Sequence, residues 1–253
     1  IFIPAFLASL CPPFFLFTDS DDYVSKNYVE YLYGILESTG ADIAVGKMEN
    51  FPEGSSPKIE KSDSNYILTF NSIEAIQDFL YEKHFATNVT AKLYKKELFD
   101  GIEFPKGKKY EDLYVFYKII SKCNIVVYGN KSIYYYMIRC NSTIGTLNPL
   151  KSKDFLLAAK EVHTYVLNYC YTIRKAADFK LFQAAIEMFV HLPKKTNNHE
   201  QECYKEELWK YVRKYRLQIV TDHNCKLKYR ILAFVSFFGQ RILSCFFQFA
   251  SRR

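Results

Sequence analysis

The sequence predicts an α/β domain, with a mixed sheet and flanking helices, followed by an all-helical C-terminal extension. Residues 14–17 form an apolar run that ends abruptly in the carboxylates of Asp19, Asp21 and Asp22, which is typical of a strand that ends at a ligand-binding edge. Short strand-like and helix-like segments then alternate to about residue 150, and the apolar spacing is helical from residue 154 onward. We therefore predict two domains, at residues 1–150 and 151–253.

The acidic segment after the first strand is the first candidate site. Because an uninterrupted apolar run is typical of parallel strands buried on both faces, we expect this strand to have parallel neighbours. Carboxylates as close as Asp19 and Asp21 repel each other unless a cation lies among them, and Mg²⁺ or Mn²⁺ suits such ligands. A turn that only caps the next helix is an open alternative. A calcium loop is disfavoured, because Tyr23 and Val24 stand where it needs an oxygen ligand and a glycine.

The elements up to residue 99 follow from apolar spacing and from helix start and stop signals. We place the apolar face of the first helix on Val29, Leu32, Ile35 and Leu36, and its end at Gly40. The predicted elements are, in order, a helix from Ser25 to Ser38, a strand from Asp42 to Val45, a surface loop over 50–65, a helix from a capping box at Asn71–Glu74 to Leu80, an extended stretch over 88–94, and a helical turn from Lys95 to Phe99.

A second acidic pair, Glu111 and Asp112, opens the next predicted helix. This helix places Leu113, Phe116, Tyr117 and Ile120 on one side. Carboxylates in a first helical turn are favoured by the helix dipole, by up to roughly 1 kcal/mol, so an ordinary helix start is the alternative to a catalytic role. The strand-like runs 125–128 and 132–137 flank Gly129-Asn130 and predict a β-hairpin.

Composition excludes several classes of protein. Hydrophobic residues make up 49% of the 253 residues, which indicates a sizeable core and argues against general disorder. The seven cysteines are odd in number and lack CxxC spacing, so we expect reduced thiols rather than disulfides or a zinc site. The first 18 residues carry no charge, but Pro4, Pro12 and Pro13 argue against a transmembrane or signal helix there.

Positive charge is concentrated near the C-terminus. Residues 1–193 hold 21 basic and 22 acidic residues, a net of −1, whereas residues 194–253 hold 13 basic and 5 acidic residues, a net of +8. Within the helical segment 225–250 the basic residues are interleaved with Phe and Leu, a pattern that favours an anionic membrane surface over nucleic acid. Packing on the domain or on a partner is an equal alternative. The basic residues expected near lipid head groups are Lys226, Lys228, Arg230, Arg252 and Arg253.

Taken together, these segments resemble the family 2 glycosyltransferases with a GT-A fold, and within them the subgroup that builds bacterial surface polysaccharides. The similar motifs match in order and spacing over about residues 14–150. They are Phe17-Thr18-Asp19-Ser20-Asp21-Asp22-Tyr23, Ala41-Asp42-Ile43-Ala44-Val45, Tyr94-Lys95-Lys96-Glu97-Leu98-Phe99, Ile102-Glu103-Phe104-Pro105, Gly107-Lys108-Lys109-Tyr110-Glu111-Asp112-Leu113, and Tyr134-Tyr135-Tyr136 with Arg139, Asn141 and Ser142.

The resemblance implies a metal-dependent enzyme that transfers a sugar from a nucleotide-sugar to a saccharide or lipid-linked acceptor, at the cytoplasmic face of the cell membrane. Asp21 would bind Mg²⁺ or Mn²⁺, and Asp19 would contact the metal or the nucleotide-sugar. Asp112, of the Glu111-Asp112 pair, would take the proton from the acceptor hydroxyl, and the displacement would invert the anomeric carbon. Arg139 would contact phosphate, although a surface arginine after a strand is an equal interpretation.

The chain departs from the family pattern at its start. Family members carry a front half of some tens of residues that binds the nucleotide base, whereas about 18 residues precede Asp19 here. We therefore expect an incomplete GT-A core with an exposed sheet edge. Two hypotheses follow. The first is an active glycosyltransferase. The second is a truncated, non-catalytic remnant that serves as a membrane-associated interaction module.

Overall fold

A computed structural model of the protein describes residues 13–57, 66–85, 87–138, 153–192 and 198–250. These residues form two compact units. The first unit contains the described residues up to Pro105 together with residues 115–138. The second contains residues 106–114 and the described residues from 153 onward. The segment that carries Glu111 and Asp112 therefore belongs to the second unit.

The first unit is built on one mixed sheet. Its strands are β1 (Phe14–Leu16), β2 (Tyr23–Val24), β3 (Ile43–Pro52), β4 (Ile67–Phe70), β5 (Lys92–Lys95) and β6 (Val126–Ile138). The strand order is β1-β5-β3-β6-β2, and β4 also pairs with β6. Only β3 and β6 run parallel, and every other described pair is antiparallel. The predicted α/β class is confirmed.

The first strand is confirmed, but its predicted parallel pairing is wrong. β1 lies at one end of the described strand order and pairs antiparallel with β5, with Phe14 opposite Lys95 and Leu16 opposite Leu93. Both faces of β1 are nevertheless covered: Phe14 and Leu16 pack on the core cluster under the first helix, while the Phe15 ring lies 5.3 Å from that of Phe99. Cover on both faces explains the uninterrupted apolar run without parallel neighbours.

The predicted hairpin at Gly129-Asn130 is also wrong, because β6 is one continuous strand of 13 residues. It pairs in parallel with β3 along nearly its whole length. The pairing continues past Gly129-Asn130 because the register shifts opposite Gly46–Met48. The first part of β6 also pairs with β4, and Tyr134 and Tyr135 pair with β2. Strands on both sides thus hold β6 through the position where a turn was expected.

Helices cover the two faces of this sheet. They are α1 (Tyr28–Thr39), α2 (Ser72–Tyr81) and, from residue 115 onward, α3 (Glu111–Ile120), with a 3₁₀ turn at Lys96–Phe99. α1 ends at Gly40 with φ of 65°, as predicted, but it begins at Tyr28 and not at Ser25. Tyr28 takes the buried position predicted for Val29, whose side chain is 50% exposed. The capping box of α2 is present, with Glu74 N donating to Asn71 Oδ1 at 3.0 Å.

Asp42 fixes the point where β3 begins. The residue is 8% exposed, and its carboxylate accepts hydrogen bonds from Lys95 Nζ at 2.7 Å and from the backbone N–H of Asn124 at 2.7 Å and Ile125 at 3.2 Å. Burial alone would raise the pKa of Asp42, but these donors and the Lys95 charge outweigh burial and lower it. One carboxylate therefore joins the starts of two parallel strands to the end of β5.

The second unit contains the predicted C-terminal helices. They are α4 (Asp154–Tyr169), α5 (Arg174–His191), α6 (His199–Thr221), α7 (Leu227–Val235) and α8 (Gln240–Ala250). α5 is buried on most sides and packs against α4 and α6. The predicted single segment over 225–250 is divided at Gly239, where φ is 99°. Among the described residues, no helix combines the length and hydrophobicity that a membrane crossing requires.

Candidate functional site

The acidic loop lies directly beyond β1. Asp19, Asp21 and Asp22 are half-buried, Ser20 is exposed, and Asp22 N donates to Asp19 O at 3.3 Å to close a turn. The predicted turn is present, but its interpretation as a helix cap is wrong, because the position before α1 is Asn27. The loop therefore does not serve to start α1, and another reason is needed for three carboxylates at this strand end.

A buried tyrosine of β6 holds the loop at both ends. Tyr134 is fully buried, and its hydroxyl accepts a hydrogen bond from Asp19 N at 3.0 Å and donates one to Asp22 Oδ2 at 2.7 Å. The other oxygen of Asp22 accepts from Met137 N at 3.0 Å. Asp22 thus anchors the loop to β6. The half-buried carboxylates of Asp19 and Asp21 lie in the segment that this anchor positions.

The protonation of Tyr134 suits this arrangement. Burial is the main cause that raises the pKa of Tyr134 well above its usual value, and the charges of Asp22 and Asp19 raise it further. The hydroxyl therefore keeps its proton throughout the neutral range and donates to Asp22. A charge-assisted hydrogen bond of this kind is stronger than one between neutral groups.

An aromatic cluster supports the loop from one face of the sheet. The ring of Phe17 lies 5.8 Å from Tyr94, 5.7 Å from Phe99 and 6.5 Å from Phe104, measured between centroids. Aromatic pairs at these separations stabilise the fold by more than the burial of their surface alone. Because Phe17 stands two residues before Asp19, this packing fixes the direction in which the chain leaves β1.

The donor atoms of the loop suit a small divalent cation. Within the described ranges no group of three or more His, Cys, Asp or Glu side chains could hold a metal by itself. Mg²⁺ bound together with a substrate diphosphate needs only one or two protein carboxylates, since phosphate oxygens and water supply the other ligands. Asp19 and Asp21 offer that donor set.

A further acidic residue, Glu49, lies in the same cross-strand row as Tyr23, next to the acidic loop. Glu49 of β3 is paired in register with Tyr135 of β6, which in turn faces Tyr23, the residue after Asp22. Glu49 forms an ion pair with Lys47 and accepts a hydrogen bond from Ser132 Oγ at 3.0 Å. Sequence reasoning missed Glu49, because this register depends on the irregular pairing of β3 with β6.

The second predicted acidic pair occupies the first turn of α3. Glu111 and Asp112 are half-buried, and the residue before them, Tyr110, has a φ of 58°. The ring of Tyr110 stacks on Phe155 at 4.6 Å. The carboxylate of Asp154, the first residue of α4, accepts hydrogen bonds at 3.1 Å from Lys108 Nζ and Lys109 N, in the loop before α3.

The start of α4 therefore holds the loop that carries Glu111 and Asp112. These two residues belong to the second unit, whereas Asp19 and Asp21 belong to the first, and the convergence of the two pairs in one site stays a prediction. Arg139, the predicted phosphate contact, lies outside the described residues.

Two curated proteins share part of their sequence with this chain. Glycosyltransferase GlyA of Streptococcus pneumoniae serotype 4 is 34% identical over 166 residues, and glycosyltransferase GlyG of the same organism is 30% identical over 145 residues. The two alignments cover 63% and 51% of this chain, but only 24% and 44% of the relatives. The chain thus spans less than half the length of either relative. No protein-family profile matches it.

Solved structures share its fold. A crystal structure of residues 1–349 of TarS from S. aureus, in complex with UDP-GlcNAc, has a TM-score of 0.54 and 17% sequence identity, and the match covers 92% of this chain and 64% of TarS 1–349. The structure of TarS 1–349 without the ligand gives a TM-score of 0.53 and 16% identity, over 92% and 63% of the two chains. The chain therefore has the α/β fold of TarS, and its predicted resemblance to glycosyltransferases is confirmed.

Proposed function

We propose that this chain is the GT-A catalytic region, or most of one, of a glycosyltransferase that acts in surface-polysaccharide synthesis. It transfers a sugar from a nucleotide-sugar to a saccharide or lipid-linked acceptor at the cytoplasmic face of the membrane. The observation that carries the proposal is the anchored acidic loop beyond β1 in a chain 34% identical, over 166 residues, to a curated glycosyltransferase. The crystal structure of TarS with UDP-GlcNAc makes a UDP-sugar the first donor to test.

In this proposal the acidic loop binds the donor diphosphate together with a divalent cation. Asp21 and Asp19 hold Mg²⁺ or Mn²⁺, and Arg139 contributes a positive charge to the phosphates. The bound cation offsets the negative charge that develops on the leaving nucleoside diphosphate. Asp22 and Tyr134 act as positioning residues. They hold the loop in place, while Asp19 and Asp21 bind the nucleotide-sugar and its cation.

Asp112 is proposed as the general base. It accepts the proton of the acceptor hydroxyl as that oxygen attacks the anomeric carbon from the face opposite the leaving diphosphate, so the configuration inverts in one displacement. A base and a phosphate-binding carboxylate must be separate groups on separate elements, as Asp112 and Asp21 are. Glu111 precedes the base in the same helical turn and belongs to the proposed catalytic pair.

The test is UDP release from UDP-GlcNAc, UDP-glucose and UDP-galactose in the presence of Mn²⁺, with water or added saccharides as acceptors. Asp112→Asn is expected to slow release by roughly 10² or more, while the dissociation constant of the donor stays within a few-fold. The matched control is Glu30→Gln, which changes an exposed carboxylate of α1 and is expected to keep the full rate.

The competing hypothesis is the non-catalytic remnant. It predicts that no donor is bound or cleaved with or without Mn²⁺, although the chain folds and its C-terminal helices still bind their partner. An Asp112→Asn variant with the full rate of UDP release would instead remove Asp112 from the mechanism and leave the metal site untouched.

A further inference from the structure

The last two helices each expose large apolar side chains, and we call the two sets together the apolar stripe. It consists of Leu227, Ile231, Phe234 and Phe238 on α7 and the turn that follows, and of Ile242, Phe246 and Phe249 on α8. Their exposed fractions range from 38% to 67%. Surface apolar residues that occur singly are ordinary, whereas several large ones on the same side of a helix are a candidate interaction site.

The spacing within each helix shows that its exposed apolar residues share one side of the helix and are not scattered around it. On α7 Leu227, Ile231 and Phe234 follow at intervals of four and three, and the residues on α8 follow at the same intervals, which places each set on one side of its helix. The rings of Phe234 and Phe238 lie 5.7 Å apart. Other residues of the same helices, such as Leu232 and Leu243, are buried and provide the core contacts.

The charged residues of the segment that carries the stripe are all basic. Residues 223–253 contain six basic residues and no aspartate or glutamate. Lys226 and Arg241 are exposed at the starts of α7 and α8. Lys228 lies 3.6 Å from Glu187, and Arg230 donates to Val220 O at 3.1 Å, so part of the charge is shared with the body of the unit. An apolar face bordered by cations is complementary to an anionic lipid surface.

We propose that the apolar stripe lies in the head-group region of an anionic membrane, with the phenylalanines inserted and the lysine and arginine side chains at the phosphates. α7 and α8 have nine and eleven residues, or about 14 and 17 Å, well short of a hydrocarbon core of about 30 Å. The stripe therefore rests on the bilayer and does not cross it. This deepens the proposed function, since it brings the enzyme to the surface where a lipid-linked acceptor is found.

The same charges argue against a second copy of the chain as the occupant. In a symmetric dimer the same patch meets itself, so Lys226 and Arg241 would lie in an interface to which both copies contribute the same basic residues and no acidic residue from this segment. Like charges brought together in this way are unfavourable, whereas a bilayer that contains phosphatidylglycerol supplies the opposite charge over the whole area.

The experiment is co-sedimentation of the full chain with vesicles of phosphatidylcholine alone, or with 30% phosphatidylglycerol (about one lipid in three). We expect binding to the anionic vesicles that weakens as salt is raised, because surface electrostatics are screened. The double variant Phe234→Ser with Phe238→Ser, and the variant Arg241→Gln with Lys226→Gln, are each expected to weaken binding at least tenfold. The matched control is Leu157→Ser with Tyr169→Ser, two exposed apolar residues of α4.

Three results would overturn the proposal. The first is that the wild-type chain does not bind anionic vesicles. The second is that the control variant and the double variant Phe234→Ser with Phe238→Ser lose vesicle binding equally. The third is a wild-type dimer in lipid-free sedimentation that the Phe234 variants dissociate, because the stripe would then be a contact between copies. Asp21→Ala is expected to bind vesicles as the wild type does, so failure of the sugar-transfer proposal is separable from failure of this one. Circular dichroism of each variant shows that it is folded.

Discussion

A single tyrosine hydroxyl connects the two ends of the acidic loop. Tyr134 accepts from Asp19 N and donates to Asp22, which also accepts from Met137 N. The loop is therefore held by three hydrogen bonds to β6, two of them made by a carboxylate that was not among the predicted metal ligands. Preorganised loops of this kind lower the cost of ordering a binding site when the ligand arrives.

Tyr134→Phe removes this hydroxyl and keeps the buried ring. It removes the hydrogen bonds of this hydroxyl to one oxygen of Asp22 and to the N–H of Asp19, so we expect the free energy of unfolding to fall by about 1–3 kcal/mol. Because the loop loses its anchor, we also expect the dissociation constant of the donor to rise. Urea unfolding and calorimetric titration measure the two effects. Tyr135→Phe is the matched control, since its hydroxyl makes one long bond of 3.4 Å to Ser132 O, and it should change both quantities less.

A second carboxylate, Asp42, gives the first unit a defined dependence on pH. Its pKa is lower in the folded chain than in the unfolded chain, where an aspartate titrates near about 3.9. A group whose folded pKa is lowered contributes stability that is fully present above the unfolded pKa and is lost as the pH falls through the folded pKa.

Asp42→Asn is therefore expected to cost about 2–4 kcal/mol of unfolding free energy at pH 7, because Lys95 and the N–H groups of Asn124 and Ile125 lose a charged acceptor. The difference between wild type and variant should shrink as the pH falls below about 4. Urea titrations at several pH values measure it. A difference that stays constant from pH 7 to pH 3 would show that Asp42 acts by packing and not by charge.

At the scale of elements, the pairing of β3 with β6 determines the geometry of the candidate site. The register shifts opposite Gly46–Met48 bring Tyr134 and Tyr135 to the strand positions from which they reach the acidic loop and β2. The shifts also bring Ile133 against the backbone of Gly46. A Cβ atom at position 46 would lie 2.1 Å from Ile133 Cδ1 and 2.4 Å from Cγ1.

Gly46→Ala is expected to destabilise the first unit by about 1–3 kcal/mol, because the fully buried side chain of Ile133 must move. The control is Gly34→Ala in α1, where an added Cβ meets nothing within 4 Å and should stabilise the helix by about 0.5–1 kcal/mol. Urea unfolding measures both changes. Ile133→Ala removes both clashing atoms, so the double variant should lose less stability than the sum of the two single variants, and exact additivity would mean that the clash is not the cause.

Elements with local signals were predictable from the sequence. The capping box of Asn71 and Glu74, the C-terminal glycine of α1 and the apolar face of α3 each depend on residues within one or two turns of one another. Pairing was not predictable, because the direction of β1 and the continuity of β6 depend on strands far away in the sequence. Gly129-Asn130 has the composition of a hairpin turn, and the parallel partner β3 overrides it.

The same distinction applies to the candidate site. The acidic residues were evident as a cluster at a strand end, and Glu111-Asp112 as a pair at a helix start. The anchor of the loop was not evident, since Asp22 and Tyr134 lie 112 positions apart in the sequence. A signal was nevertheless present in the three adjacent tyrosines 134–136, because a buried tyrosine hydroxyl usually finds a hydrogen-bond partner, and that of Tyr134 finds Asp22.

At the scale of the whole molecule, charge and chemistry are divided along the chain. Residues 1–193 are nearly neutral in sum, at −1, and contain both predicted acidic pairs, whereas residues 194–253 carry +8 and contain the apolar stripe. In our proposals the C-terminal helices bind an anionic surface, and the acidic residues bind the donor. We therefore expect substitutions in the stripe to change where the protein is found and substitutions in the acidic loop to change what it binds.

The acidic loop is proposed to bind a nucleotide-sugar through a divalent cation. The most direct measurement is calorimetric titration of UDP-GlcNAc into the wild-type chain and into Asp21→Ala, each with Mn²⁺ and with EDTA. We predict binding to the wild type that requires Mn²⁺ and a loss of that binding in Asp21→Ala, with unfolding free energy unchanged to within about 1 kcal/mol. Equal affinity of the two proteins in Mn²⁺, or equal affinity of the wild type with and without the metal, would contradict the account.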